Sequence, residues 1–278
     1  MESCALVLPK ERCSSPRGAA RKPPLTKTRQ KRAPVLNNLQ VLSRRTPKGN
    51  RLILTCEHGG NRIPSAYADL FSKAGAELTS HRGYDPGALD LAKALGSALR
   101  APLVFSTVSR LLVELNRTAR HPALFSEFTR GLTPAEKDKL LRRYYWPHWR
   151  MIESLIAESL AQGMRVTHIG VHTFTPVLHG VERTADIGLL YDPARPREKA
   201  FCVRWQEALR KSGLELRVRR NDPYRGAADG LTTHLRRHFG SSRYIGVELE
   251  VNNRFAVDDA PTWRAIQRAI TQSLDSLL

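Results

Sequence analysis

Hydrophobic residues along the chain alternate between short apolar runs and segments with helical spacing. Runs of about four to eight residues rich in apolar side chains are typical of strands buried on both faces of a sheet. The predicted strands are Leu52–Cys56, Leu103–Thr107, Val166–Val171, Ile187–Leu190, Leu214–Val218 and Tyr244–Val251. Because helical segments separate these runs, the pattern predicts an α/β fold with a central, mostly parallel or mixed sheet flanked by helices.

Two helices have recognisable starts. Asp85 followed by Pro86 is typical of a helix N-cap and first turn, and apolar residues follow at helical spacing. Residues 133–136, Thr-Pro-Ala-Glu, form the pattern of a capping box. The helix that begins there should be kinked or interrupted at Pro147, because proline lacks the backbone N–H that the helix needs.

Positive charge is concentrated near the start of the chain. The 278 residues carry a net charge of +19, and residues 1–50 hold 12 Lys and Arg against 2 acidic residues. Residues 9–48 are rich in Pro, Ser, Arg and Lys and have too little apolar periodicity to bury a core. We therefore predict a disordered basic tail at 1–48 and one folded domain at 49–278. The tail lacks interleaved aromatic residues, and no nucleic-acid-binding module follows it, so we do not expect a nucleic-acid partner.

The apolar runs and the cysteines set the expected environment of the protein. No run reaches the roughly 18 apolar residues of a membrane helix, and the short stretch Ala5–Leu8 is too brief for a signal-peptide core. The four cysteines are scattered without a Cys-x-x-Cys pair, which supports neither a disulfide framework nor a thiolate zinc site. We expect a cytoplasmic protein that does not partner a membrane.

Two histidines follow predicted strands. His58 comes directly after the first strand and before two glycines, and His172 follows the apolar run at 166–171. In α/β sheets, functional side chains gather at the carboxyl ends of the strands. Asp85 is a candidate third partner, with the helix N-cap as its alternative role. Two histidines and one carboxylate would form a catalytic zinc site with an open position for water.

Glu248 lies within the apolar pattern of the last predicted strand. A carboxylate buried there is costly unless it is paired or has a catalytic role, and a raised pKa would suit a general base. Glu250 lies two residues further along and therefore on the same face of the strand. Alternation alone does not distinguish these two glutamates.

From Leu52 to the C-terminus the chain resembles the N-formylglutamate amidohydrolase family. The resemblance depends on the order and spacing of short motifs. These motifs are His58-Gly59-Gly60 with Ile63-Pro64, Asp85 before a helix, SRLLVELNR at 109–117, GVHT around His172, ERTADIGLL at 182–190, NDPYRG at 221–226 and VELEVNN at 247–253. Members of that family are similar to zinc carboxypeptidases and have a phosphorylase/hydrolase-like α/β fold.

The resemblance also implies roles for individual residues. It implies His58, Asp85 and His172 as ligands of zinc or another divalent metal, and Glu248 as the catalytic acid/base. The implied anion-binding residues are Arg110, Asn116, Arg117 and Arg183. Guanidinium groups suit that task because they bind carboxylates bidentately. Tyr224 lies in a glycine-containing loop that we expect to close over the substrate, with a simple turn as the alternative.

The sequence departs from the family's usual motifs at residues that flank the implied ligands and line the implied pocket. Residues 57–60 are Glu-His-Gly-Gly where Pro-His-Ser-Gly is common, and residues 171–173 are Val-His-Thr where Asp-His-Ser is common. Residues 114–117 are Glu-Leu-Asn-Arg where Asp-Leu-Asn-Arg is common. Such partners tune metal affinity and substrate geometry, so the substrate is less closely defined than the reaction.

The resulting functional hypothesis is a hydrolase of amino-acid metabolism. The domain at 49–278 would be an amidohydrolase catalytic domain that cleaves the amide bond of a small anionic N-acyl amino acid, as in N-formylglutamate giving formate and glutamate. Two alternatives stay open. One is a metal-dependent amidase acting on peptidoglycan or peptides, and the other is a non-catalytic anion-binding protein with a basic arm.

Overall fold

The structure is a computed structural model that describes the backbone of residues 37–40 and, in full, residues 49–278. Its strands are β1 (Asn37–Gln40), β2 (Asn50–Cys56), β3 (Leu103–Ser106), β4 (Arg165–Phe174), β5 (Val177–Leu178), β6 (Val181–Glu182), β7 (Ile187–Leu190), β8 (Val218–Arg220) and β9 (Tyr244–Asn252). Seven of them form one sheet in the order β1-β3-β2-β4-β9-β7-β8, while β5 and β6 form a separate hairpin.

The main sheet is mixed. β2 pairs in parallel with β3 and with β4, β4 pairs in parallel with β9, and β7 pairs in parallel with β8. The pairs β1–β3 and β7–β9 are antiparallel. This arrangement confirms the predicted α/β fold class with a mixed central sheet. The carboxyl ends of β2, β4 and β9 meet at one edge, which places their terminal side chains close together.

Helices cover both faces of the sheet. They are α1 (Gly75–Thr79), α2 (Ala88–Ala98), α3 (Pro134–Leu140), α4 (Trp146–Ala161), α5 (Pro196–Arg210), α6 (Leu231–His238), α7 (Arg254–Asp258) and α8 (Ala260–Asp275), with a 3₁₀ turn at Ser65–Phe71. Apolar residues of α2, α5 and α8 pack on one face, and those of α3, α4 and α6 pack on the other. The buried strand residues contribute to both cores, as the uninterrupted apolar runs predict.

Several local predictions can be compared with these elements. The capping box is confirmed, because Thr133 accepts from the Glu136 backbone N–H and Glu136 accepts from that of Thr133. The predicted interruption at Pro147 is accommodated by a π-helical turn at Leu141–Tyr145, which joins α3 to α4. The strand predicted at Leu214–Val218 is displaced, since the paired residues are those of β8.

The start of α2 differs from the prediction. Its N-cap is Gly87, with a φ of 86°, and no side chain caps the helix. Asp85 contributes to the helix start only through its backbone carbonyl, which accepts from the Ala88 N–H. The side chain of Asp85 is therefore free to serve elsewhere, and the N-cap alternative for it is wrong.

The tail predicted at residues 1–48 lies largely outside the described residues. Residues 37–40 are the exception, because β1 pairs with β3 at the edge of the sheet. The predicted disorder therefore does not apply to those four residues, because their backbone forms an antiparallel ladder with β3. The domain boundary at residue 48 remains a proposal. Among the helices the structure describes, none has the length and apolar content needed to cross a membrane.

Candidate active site

A cavity of about 440 Å³ opens where the carboxyl ends of β2, β4 and β9 meet. It is lined by His58, Asp85, Arg110, Asn116, Arg117, His172, Thr173, Pro223, Tyr224, Arg225, Ala228, Asp229, Glu248 and Glu250. Eight of the nine residues singled out from the sequence are in that set; Arg183 is the exception. Segments that are far apart along the chain thus supply one polar site.

His58, Asp85 and His172 converge in the floor of the cavity. One donor atom from each side chain lies within 4.8 Å of the other two, and all three residues are buried. Asp85 Oδ2 lies 3.1 Å from Nδ1 of His58 and 3.1 Å from Nδ1 of His172. Two imidazole nitrogens and one carboxylate oxygen in a buried cluster are the donor set of catalytic zinc sites, so these residues fit a divalent metal.

The second ring nitrogen of each histidine faces another buried glutamate. Nε2 of His58 contacts Glu114 Oε1, and Nε2 of His172 lies 3.1 Å from Glu57 Oε2. Each ring therefore presents Nδ1 to Asp85 and Nε2 to its own carboxylate. Metal-binding histidines commonly have such an outer carboxylate, which fixes the tautomer and the ring orientation.

These carboxylates also set the protonation of the cluster. Burial raises the pKa of Asp85, but His58 and His172 outweigh burial and hold it well below its usual range. Burial lowers the pKa of both histidines, whereas the facing carboxylates raise it above the ordinary value. The facing carboxylates therefore favour the protonated form of both rings, and a metal that binds their nitrogens competes with protons.

Arg110 connects two of the acids. Its Nη1 donates to Asp85 Oδ1 at 3.1 Å, and its Nε and Nη2 lie 2.8 and 2.7 Å from Glu114 Oε2. Burial raises the pKa of Glu114, but Arg110 and His58 lower it below its usual range. Since all three guanidinium nitrogens of Arg110 contact carboxylates of the protein, this side chain orients the cluster rather than offering a free fork to a substrate.

Two glutamates of β9 reach the cavity beside the cluster. Glu250 is opposite His172 in the β4–β9 register, and Glu248 is opposite Gly170. Glu248 Oε1 accepts from Asn116 Nδ2 at 3.3 Å and from Thr232 Oγ1 at 3.2 Å. Glu250 is only 7% exposed, and its buried Oε2 has no hydrogen-bond partner among the described residues. Burial raises the pKa of Glu250 to about 8, against the opposing effect of His172.

The remaining predicted anion-binding residues divide into two groups. Asn116 and Arg117 line the cavity, where Asn116 Oδ1 accepts from the Leu231 N–H and Arg117 donates to the backbone carbonyl of Asp229. Tyr224 lines the rim and is 43% exposed. Arg183 does not line the cavity; it stacks on the Tyr224 ring and donates to the Tyr224 hydroxyl at 2.8 Å.

Sequence reasoning overlooked several residues of the site. Glu57 and Glu114 were part of the quoted motifs, but their roles depend on contacts that no spacing rule reveals. His148, on α4, contacts Glu57 from a position 91 residues away in the chain. The available signal for the two glutamates was their position directly after runs of apolar residues, where an unpaired carboxylate is costly.

Comparison with known proteins gives a consistent result. The model of the family described as N-formylglutamate amidohydrolase matches residues 50–256. Among curated proteins, none matches the chain. A gene product of Agrobacterium tumefaciens of solved structure is 29% identical with a TM-score of 0.70, over 87% of this chain and 96% of that chain. The N-formylglutamate amidohydrolase from Ralstonia eutropha JMP134 is 20% identical with a TM-score of 0.63, over 87% and 97%. Both similarities support the fold.

Proposed function

Since the chain belongs to the N-formylglutamate amidohydrolase family, we propose that it hydrolyses the amide bond of a small anionic N-acyl amino acid. N-formylglutamate, which would give formate and glutamate, is the first candidate substrate. We propose that the reaction depends on a divalent metal, zinc in the first instance, held by His58, Asp85 and His172. The family's description implies the amide hydrolysis, and the metal and the substrate are our proposals.

One observation carries this proposal: three potential ligands, two glutamates and several basic side chains share one cavity. The donor atoms of His58, Asp85 and His172 lie within 4.8 Å of one another. The cavity of about 440 Å³ has the size of a site for a small molecule. A polymer such as peptidoglycan would instead be expected to occupy an extended groove, so the limited volume of the cavity supports the small substrate.

The side chains around the cluster have distinct tasks in the proposed reaction. When bound, a zinc ion would supply Lewis-acid chemistry, polarising the amide carbonyl and favouring the ionisation of a water molecule. Glu248 would accept the proton of that water and pass it to the leaving amine. Asn116 and Thr232 hold one oxygen of this carboxylate, which directs the group into the cavity.

Substrate binding is assigned to the basic and polar residues nearer the rim. We propose that Arg117 and Asn116 bind the substrate carboxylate, with Tyr224 closing over it. Arg183 would act through Tyr224, to which it is hydrogen bonded. Arg110 would contribute by holding Asp85 and Glu114, because its guanidinium contacts both acids. Exposed Arg225, which also lines the cavity, is available for a second carboxylate such as a glutamate side chain.

Elemental analysis and a substrate screen test the reaction class. The purified protein should contain about one zinc per chain and should cleave an N-formyl amino acid faster than N-acetyl or muramoyl-peptide substrates. Cleavage confined to the muramoyl peptides would favour the peptidoglycan amidase instead. Absence of both metal and hydrolysis would favour the non-catalytic binding protein.

Paired glutamine variants decide which glutamate is the base. Glu248→Gln keeps the size of the side chain but removes its proton acceptor, so turnover should fall by about 10²- to 10⁴-fold while zinc stays bound. Glu250→Gln is the matched comparison on the same strand and the same face. If a folded, zinc-loaded Glu248→Gln protein turned over normally and Glu250→Gln did not, the base would be Glu250.

A further inference from the structure

Glu57 is a buried carboxylate that the proposed reaction does not use. It follows the last residue of β2 and is 1% exposed, and it is absent from the residues that line the cavity. A carboxylate removed from water in this way is costly unless charged or hydrogen-bonding groups compensate it. The groups that face Glu57 therefore indicate what it does.

Two histidines from different elements face this carboxylate. Oε2 of Glu57 lies 3.1 Å from Nε2 of His172, and Oε1 lies 3.4 Å from Nε2 of His148. His148 is fully buried near the start of α4, while His172 belongs to β4. One carboxylate thus connects the end of β2, the helix on one face of the sheet, and a side chain in the floor of the cavity.

The contact with His172 determines how that ring can bind a metal. Its Nδ1 faces Asp85 and the centre of the cluster, and only a nitrogen without a hydrogen can donate its lone pair to a metal. The hydrogen must then be on Nε2. This nitrogen lies 3.1 Å from Glu57 Oε2 but outside hydrogen-bond geometry, so a small rotation of the ring or the carboxylate would let Glu57 accept the hydrogen. Glu114 likewise faces Nε2 of His58, and there the contact is a hydrogen bond.

We propose that Glu57 is a positioning residue for His172: it accepts the Nε2 hydrogen, fixes the ring with Nδ1 toward Asp85, and is itself anchored by His148. This inference rests on the proposed function in one respect, namely that His172 is a metal ligand. It adds a buried connection from α4 to the metal site that lies outside the substrate cavity.

Zinc affinity tests this role without an activity assay. Glu57→Gln should raise the zinc dissociation constant by about 10- to 100-fold, measured by competition with a chromophoric chelator. The visible absorption spectrum of the Co²⁺-substituted protein should also change, because the orientation of one ligand changes. Glu153→Gln is the matched control, since Glu153 Oε1 lies 2.6 Å from His234 Nε2 in a glutamate–histidine pair that does not line the cavity. That control should leave both readouts unchanged.

Two further variants keep the result decisive. If Glu57→Gln does not fold, His148→Asn removes only the anchor and should weaken zinc binding in the same direction. Wild-type zinc affinity together with an unchanged Co²⁺ spectrum in Glu57→Gln would overturn the proposal. If Glu57→Gln does not fold, the same result in His148→Asn would overturn it. His172→Ala separates this failure from that of the proposed function. If His172→Ala loses zinc while the Glu57 and His148 variants bind it normally, only the role of Glu57 is wrong. If His172→Ala retains zinc, the proposed ligand set is wrong.

Discussion

His58 and His172 are each held between two carboxylates, one at each ring nitrogen. Asp85 is shared by the two Nδ1 atoms, and a separate glutamate faces each Nε2. The rings are therefore oriented before any metal arrives, which reduces the reorganisation that binding requires. Glu250 is the contrasting side chain, because it is buried beside the cluster with one oxygen unpaired in the described structure.

Glu250 should destabilise the metal-free protein as the pH rises. Its pKa of about 8 exceeds the usual value near 4.5, so between these values the folded state retains a proton that the unfolded state has lost. The free energy of unfolding therefore falls as the pH rises through this window. Glu250→Gln should remove the effect and be more stable than the wild type by about 3 kcal/mol at pH 7, with little difference at pH 4.

Urea denaturation in the presence of a chelator, at a series of pH values from 4 to 8, measures this difference. Glu207→Gln, on the exposed surface of α5, controls for the loss of one negative charge. A stability difference between Glu250→Gln and the wild type that stayed constant over the whole series would contradict the burial argument.

At the level of elements, the loop after β2 passes unusually close to the end of β3. A Cβ on Gly60 would lie 2.8 Å from the Thr107 carbonyl oxygen, and one on Gly59 would lie 2.8 Å from that of Ser106. Ser106 belongs to β3, and the Thr107 carbonyl oxygen accepts from the Arg62 N–H, so neither backbone oxygen can move aside without loss of these contacts. The two glycines therefore let the chain turn directly after His58, which keeps the ring at the strand end instead of displacing it from the cluster.

Gly60→Ala should accordingly destabilise the protein and weaken metal binding together. The added methyl group displaces the loop from β3, and we expect a loss of about 1–3 kcal/mol in unfolding free energy. Gly131→Ala is the control, because a Cβ there has no neighbour within 4 Å. Thermal unfolding and zinc titration of both variants provide the measurement. A Gly60→Ala protein with wild-type stability would mean that the loop has room to shift.

On the scale of the whole molecule, the site is assembled from segments that only the sheet brings together. Its residues come from the ends of β2, β4 and β9 and from the long connections between strands. Residues 37–40 add a strand at the far edge, next to β3. We therefore propose that β1 belongs to the folded unit together with residues 49–278.

Two truncations test where the catalytic unit starts. Deletion of residues 1–34 should leave the melting temperature, zinc content and hydrolysis unchanged. Deletion of residues 1–48 should also leave zinc content and hydrolysis unchanged, because none of the residues lining the cavity comes from β1. However, it uncovers the edge of β3 and should lower the melting temperature by about 2–4 °C. Loss of cooperative unfolding in the shorter deletion would show that residues 1–34 belong to the folded unit.

The sequence by itself determined the fold class, most of the strands and the family. A strand buried on both faces must be apolar along its whole length, so its position can be predicted from its own residues. The capping box at Thr133 and the break near Pro147 are local in the same sense, because they involve neighbours three or four residues apart. The motif order also indicated His58, Asp85 and His172 together, and the structure brings their donor atoms within 4.8 Å.

Only the tertiary structure decided which partners each polar side chain has. The Asp85 side chain does not cap a helix, and Arg110 contacts two acids. Arg183 lies outside the cavity lining. Glu57 contacts both His172 and His148. The physical reason is that hydrophobic periodicity records whether a residue is buried, but not what it faces. Glu57 meets His148 across 91 positions of sequence, and His172 meets Asp85 across 87. Such contacts follow from the order of strands and the packing of helices, which no local pattern contains.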